Sequence, residues 1–94
     1  PWEPVRDAAL AAQLQHITRQ MFLAMDGEGY ARTDIRMDAS GRLHLLEINP
    51  NPSIFYPDHD GATADVILML DGFGKARFLE LLIQNALARQ CVLL

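Results

Sequence analysis

Ninety-four residues, half of them apolar, suit one globular unit near the small end of domain size. A formal charge of −4, with eight Lys and Arg scattered along the chain, counts against nucleic acid as a partner. The longest apolar runs, residues 66–70 and 91–94, fall far short of the ~20 residues that span a bilayer, so no membrane partner is expected.

A single cysteine, Cys91, cannot close an internal disulfide, which makes the reducing cytoplasm the expected location. Its apolar neighbours mark it as a packing residue. The chain starts at Pro1 with no features of a signal peptide and no initiator Met, as expected of a piece of a larger protein.

Pro1 and Pro4 disfavour helix, so the first six residues read as an extended lead-in. Asp7 is a natural N-cap for the helix formers that follow it. Leu10, Leu14, Ile17, Met21 and Met25 then recur at helical spacing and predict one amphipathic helix with a single buried stripe. His16 lies beside that stripe as a partly exposed helix residue. Gly27 is the predicted left-handed stop.

The centre of the chain reads as a β-hairpin. Residues 30–37 and 42–49 are rich in aromatic, β-branched and long apolar side chains, and Asp38-Ala39-Ser40-Gly41 has turn chemistry. A four-residue loop would set Met37 opposite Arg42, Arg32 opposite Glu47, Asp34 opposite Leu45 and Tyr30 opposite Asn49. Alternation then gathers Arg32, Asp34, Glu47 and Asn49 on one face. Ala31, Thr33, Ile35, Met37, Leu46 and Ile48 take the core face, with His44 on the same side.

Three prolines, Pro50, Pro52 and Pro57, force an irregular loop after Asn49. Thr63 is placed to cap a short helix through Val66, Ile67, Met69 and Leu70, which Asp71-Gly72-Phe73-Gly74 ends. Lys75 to Gln90 reads as a final helix with Phe78, Leu81, Leu82, Asn85 and Ala86 on one face. The expected class is α+β: a helix, an antiparallel hairpin, a Pro-rich loop and C-terminal helices.

Asp34, Glu47 and Asn49 offer hard oxygen ligands from two adjacent strands. Mg²⁺ takes such ligands, with one or two carboxylates and the rest of its shell from phosphate and water. Glu47 and Asn49, two apart on a strand, lie about 7 Å from each other along the backbone. Arg32 on the same face suits an anion or a developing oxyanion. The alternative is an ordinary Arg32–Glu47 ion pair on a solvated sheet, with Asp34 and Asn49 as bystanders. His59, beside two acids in the loop, is a further candidate for metal or acid–base work. The acid spacing does not fit an EF-hand.

Residues 30–34, the Asp38–Gly41 turn, and Leu45-Leu46-Glu47-Ile48-Asn49-Pro50-Asn51-Pro52-Ser53 resemble the C-terminal part of ATP-grasp ligases, most closely the D-alanine–D-alanine ligase group. There an Arg-x-Asp strand and a Leu-Glu-x-Asn strand are separated by the same turn. The resemblance covers most of the chain. It implies a carboxylate–amine ligase that forms an amide or peptide bond through an acyl phosphate, with ATP as co-substrate and Mg²⁺ or Mn²⁺ as cofactor.

Carried over by position, it implies that Asp34, Glu47 and Asn49 bind the metal ions that hold ATP, with Glu47 and Asn49 on the nucleotide side and Glu47 as the bridge. It implies that Arg32 and the Ser53 backbone N–H stabilise the acyl phosphate and the tetrahedral intermediate. These ligases usually have Gly at the Ser53 position, and Ser takes a positive φ less readily. The loop Asn-Pro-Asn-Pro-Ser-Ile also departs from the common Asn-Thr-x-Pro-Gly-Met, which leaves the carboxylate and amine substrates open.

The central nucleotide domain and the N-terminal substrate domain of such ligases have no counterpart here. Residues 1–94 are therefore expected to be the C-terminal segment of an ATP-grasp domain, inactive alone and partnered by the missing N-terminal part. Apolar helix faces and hairpin edges that lose their cover in such a piece would favour self-association as a homodimer. A non-catalytic interaction or structural module derived from an ATP-grasp protein is the alternative.

Overall fold

The computed structural model describes the backbone of residues 2–93, and their side chains except at positions 58 and 90–93. The expected packing role of the Cys91 side chain therefore lies outside the described residues. The order of elements is α1 (Ala8–Ala24), β1 (Arg32–Met37), β2 (Leu43–Asn49), a single 3-10 turn (Asp58–Asp60), α2 (Thr63–Asp71) and α3 (Lys75–Leu93). The class is α+β. The chain divides into two units, Val5–Pro52 and a second made of Ser53–Leu94 with Pro1–Pro4.

In the first unit, α1 starts where the Asp7 carboxylate accepts the N–H groups of Ala9 (2.9 Å) and Leu10 (3.1 Å). These are donors that the first helical turn cannot satisfy itself. Leu10, Leu14, Ile17 and Met21 are half-buried along one stripe, whereas Met25, the C-cap, is exposed. The helix packs on the hairpin, and Thr18 Oγ1 and Thr33 Oγ1 share a hydrogen bond of 2.7 Å.

The stop signal differs from expectation. Asp26, not Gly27, takes the left-handed conformation (φ 53°). The Asp26 and Gly27 N–H groups donate back to Leu23 and Phe22 carbonyls, the Schellman pattern. Gly27 is required for space: a Cβ there would lie 2.5 Å from the Phe22 ring.

The hairpin forms with a corrected register. Asp38 N–H donates to Arg42 C=O (2.9 Å) and Gly41 N–H to Asp38 C=O (3.0 Å), so the loop has three residues, 39–41, with Gly41 left-handed at φ 87°. This is the turn-plus-glycine closure common in three-residue hairpins. The Asp38 carboxylate fixes it, accepting from Ser40 N–H and Oγ, Arg42 N–H and the His44 ring. Near the loop, Met37 faces Leu43, Arg36 faces His44 and Ile35 faces Leu45.

A β-bulge at Leu46 then shifts the register again, so Asp34 faces Glu47, Thr33 faces Ile48 and Arg32 faces Asn49. Two one-residue shifts restore the parity. The core side is therefore Thr33, Ile35, Leu43, Leu45 and Ile48, all half-buried. Leu46, expected inside, is the bulged residue and 60% exposed. His44 crosses to the polar face.

In the second unit, α2 begins after Ala62 rather than at a Thr63 cap, because Asp65 reaches back to accept Ala62 N–H (3.1 Å). It ends at left-handed Gly72 (φ 76°). On α3, Phe78, Leu81 and Leu82 are half-buried as predicted, while Asn85 and Ala86 are exposed. Asn85 turns its amide onto the Leu81 carbonyl at 2.9 Å. Among the described residues only Pro52, Ala64 and Asp65 are buried, so each unit rests on a thin core. No helix among them is long and apolar enough to cross a membrane.

Candidate functional site

The polar face of the hairpin holds the residues expected there, in altered pairs. Arg32 and Asp34 project from β1 on alternate positions and Glu47 and Asn49 from β2, and the bulge at Leu46 brings Glu47 directly opposite Asp34. Bulges next to a site re-aim side chains in this way. The Arg32 guanidinium lies between the two acids. Its Nε and one Nη meet the two Asp34 oxygens at 3.0 and 3.3 Å, and the same Nη approaches Glu47 Oε1 at 3.8 Å.

The main partner of Arg32 is therefore Asp34, and Glu47 is held loosely. Side-chain exposure follows the same order: 23% for Arg32, 37% for Asp34 and 60% for Glu47. Asn49 is half-buried, and its Oδ1 accepts the Asn51 N–H at 2.9 Å, which starts the turn of the Pro-rich loop.

Magnesium chemistry fits this donor set. It supplies two carboxylates and an amide oxygen, all hard ligands, and each Asp34 oxygen keeps a lone pair beyond the one it gives Arg32. Among the described residues no three His, Cys, Asp or Glu side chains converge to hold a metal. A cation on this face would draw the rest of its shell from phosphate and water, the usual arrangement for Mg²⁺.

The corrected register adds His44 to the face. It pairs with Arg36, which shares the Arg32–Asp34 side of β1 in either register. His44 Nε2 lies 2.9 Å from Asp38 Oδ2. That contact, then the Ser40 hydroxyl and the Arg42 N–H, hold the Asp38 carboxyl well below the usual carboxylate range. His59 is exposed and lies 3.4 Å from its neighbour Asp60.

Ser53 opens the second unit as an exposed residue of irregular backbone. Its φ is not positive. The left-handed non-glycine residue of this loop is Phe55 (φ 68°), so a Ser in place of Gly carries no strain at position 53.

The sequence reading missed Asp65 and Lys75. Asp65 is 4% exposed, and its oxygens accept the N–H groups of Phe55 (2.7 Å), Tyr56 (3.2 Å) and Ala62 (3.1 Å). Lys75 Nζ lies 3.6 Å from Asp65 and donates to Tyr56 C=O at 2.6 Å. Burial by itself raises the Asp65 carboxyl, but the three N–H groups and the Lys75 ammonium outweigh it and hold the group below its ordinary value. The readable signal was an Asp at the third position of a short helix, where a side chain reaches back to the cap.

Comparison with known proteins bears on this arrangement. Residues 5–56, more than half of the chain, match the family model described as D-ala D-ala ligase C-terminus. The D-alanine–D-alanine ligases of Halorhodospira halophila (strain DSM 244 / SL1) and Saccharophagus degradans (strain 2-40 / ATCC 43961 / DSM 17024) are each 40% identical to it over 43 residues. Those residues are 46% of this chain and 14% of either ligase, so the chain spans a small part of the length of the curated relatives it matches. No solved structure matches it. With the matched residues containing α1, the whole hairpin and the loop to Tyr56, the chain belongs to the D-alanine–D-alanine ligase C-terminal family of the ATP-grasp ligases.

Proposed function

We propose that residues 1–94 are the C-terminal segment of an ATP-grasp domain in a longer carboxylate–amine ligase, and that the hairpin face seats the metal and phosphates of ATP. The observation that carries this reading is the opposed Asp34–Glu47 pair, with Asn49 on the same face and the Arg32 guanidinium between the acids. Asp34, Glu47 and Asn49 would hold Mg²⁺ or Mn²⁺, with Glu47 as the bridging ligand. The ion would neutralise phosphate oxygens as charge moves between them.

The reaction has two steps. A substrate carboxylate oxygen attacks the γ-phosphorus of ATP, the bond to the bridging oxygen breaks, and ADP leaves. An amine then attacks the acyl carbon of the acyl phosphate, inorganic phosphate departs with the bonding pair, and the nitrogen loses a proton. Arg32, a planar donor with several N–H groups, would meet the anionic oxygens of both steps. The Ser53 backbone N–H is the proposed second donor to the tetrahedral oxyanion. The substrates are a small-molecule carboxylate and a small-molecule amine, and the rest of the ligase supplies the nucleotide lid and the substrate domain. The cytoplasm, where ATP is available, is the proposed setting.

Alone, the chain is expected to release no phosphate from ATP, and ATP-dependent release by the purified 94 residues would contradict that. In the full-length protein, ATP- and carboxylate-dependent phosphate release that requires Glu47 is the deciding assay. A Glu47→Ala enzyme with the parental rate would remove the assignment.

A second reading, a non-catalytic module derived from an ATP-grasp protein, draws on the fork from Arg32 that already neutralises Asp34. A divalent-ion titration separates the two: the ligase reading requires amide shifts at Asp34, Glu47 and Asn49 once ATP is present, and the module reading requires none.

A further inference from the structure

In the loop after β2 the backbone donors divide into two groups. Pro50 and Pro52 have no N–H. The Asn51 N–H is taken by Asn49 Oδ1, and those of Phe55 and Tyr56 by the two oxygens of Asp65. The N–H groups of Ser53 and Ile54 donate to no acceptor among the described residues. Two consecutive donors are thus left open immediately before two that are held.

The holding is unusual for a loop. Phe55 keeps a positive φ of 68°, a conformation that a bulky residue holds only where its surroundings enforce it. Here one carboxylate takes two successive N–H groups, as anions do where the backbone turns its donors together. The Phe78 ring lies 6.2 Å from that of Phe55, and Lys75 ties the Tyr56 carbonyl to the same carboxylate. The Lys75 ammonium also offsets the Asp65 charge, so a second anion at the neighbouring amides does not meet a bare carboxylate.

We propose that Asp65, braced by Lys75, is a positioning residue that holds the Ser53–Tyr56 backbone so that the Ser53 and Ile54 N–H groups are kept for an anionic oxygen of the substrate. This adds Ile54 as a second donor and rests on the ligase reading above for the identity of that oxygen, the tetrahedral oxyanion of acyl transfer. A displaced donor weakens that oxyanion without touching the residues proposed to seat ATP, so turnover suffers and nucleotide affinity does not.

Amide exchange resolved by NMR on the 94-residue chain tests the clamp without activity. Phe55 and Tyr56 should exchange at least about fivefold more slowly than Ser53 and Ile54, and Asp65→Ala should erase the difference and move the Ser53 and Ile54 resonances. Should that variant unfold, Lys75→Met removes only the brace and should move the same resonances by less. In the full-length ligase, Asp65→Ala should lower kcat by about 10²-fold, the scale of a small misplacement at a reacting centre, with KM for ATP within about twofold.

Ser53 and Ile54 resonances that stay fixed while Phe55 and Tyr56 lose protection would overturn the proposal, as would an unchanged kcat in an active ligase. A parent protein with no turnover would strike at the ligase reading instead, and the exchange and resonance data would then decide the clamp alone.

Discussion

The hairpin and the loop–helix unit both place carboxylates next to a cation, and they use them in opposite ways. Asp34 and Glu47 stand on an open sheet face, sharing one guanidinium, with Glu47 held only at 3.8 Å. Asp65 is buried and takes three backbone N–H groups with a lysine behind it. A carboxylate with spare lone pairs and solvent beside it can take a ligand at little cost. One whose acceptor sites are filled by its own chain can only hold that chain. On the proposed reading, the first region binds the ligand and the second keeps the shape.

Substitutions can break that assignment. The largest effect is expected at Glu47: in the full-length protein Glu47→Ala should cut phosphate release by about 10³-fold or more, the scale of losing one preorganised charge partner. The same change should barely alter the thermal stability of the chain. Asp65→Ala should do the reverse for stability, lowering Tm by more than about 5 °C in a thermal melt, because it removes the shared acceptor of three part-buried N–H groups. Equal Tm losses for the two variants would dissolve the contrast.

Next in size is Gly27→Ala, whose Cβ must push against the Phe22 ring and should cost about 1–3 kcal/mol by denaturant unfolding. Asp34→Ala should cost less than about 1 kcal/mol, since its ion pair is solvent-screened.

Acid titration sharpens the comparison from another side. Asp38 and Asp65 both have folded-state values below the ordinary 3.8, so their contributions are fully present above that pH. They are lost as pH falls through the lower folded values. Stability should therefore be flat above about pH 5 with respect to these two groups and decline below pH 4. Asp38→Asn should remove part of that slope in hairpin resonances, and Asp65→Asn should remove part in those of residues 53–75. A stability that rises on acidification would reverse the sign and contradict both networks.

The elements themselves were legible from the residues. The Asp7 cap, the Leu10–Leu14–Ile17–Met21 stripe and the Asp-Ala-Ser-Gly turn each announce local structure through side chains within a few positions. The register was not. Its first shift comes from Gly41 closing a three-residue loop under the Asp38 carboxylate, and its second from a bulge at Leu46 that leaves no mark in an apolar strand. The polar face survived because the two shifts restore parity, so Arg32, Asp34, Glu47 and Asn49 remain together although every predicted pair changed. His44 and Leu46 lie nearer the turn or at the bulge itself, and their assignments failed for that reason. The Asp65 network was hidden because its acceptors and donors are nine and ten residues apart across an irregular loop, beyond any local pattern.

The most direct test of the ligand-binding role is Mn²⁺-induced line broadening in the NMR spectrum of the isotope-labelled chain, with ATP present. The account predicts that the Asp34, Glu47 and Asn49 amides broaden first, while Phe55, Tyr56 and Ala62 around Asp65 stay sharp at the same Mn²⁺ concentration. Broadening that begins at the exposed His59–Asp60 pair, or that spares the hairpin face at saturating Mn²⁺ and ATP, would contradict it.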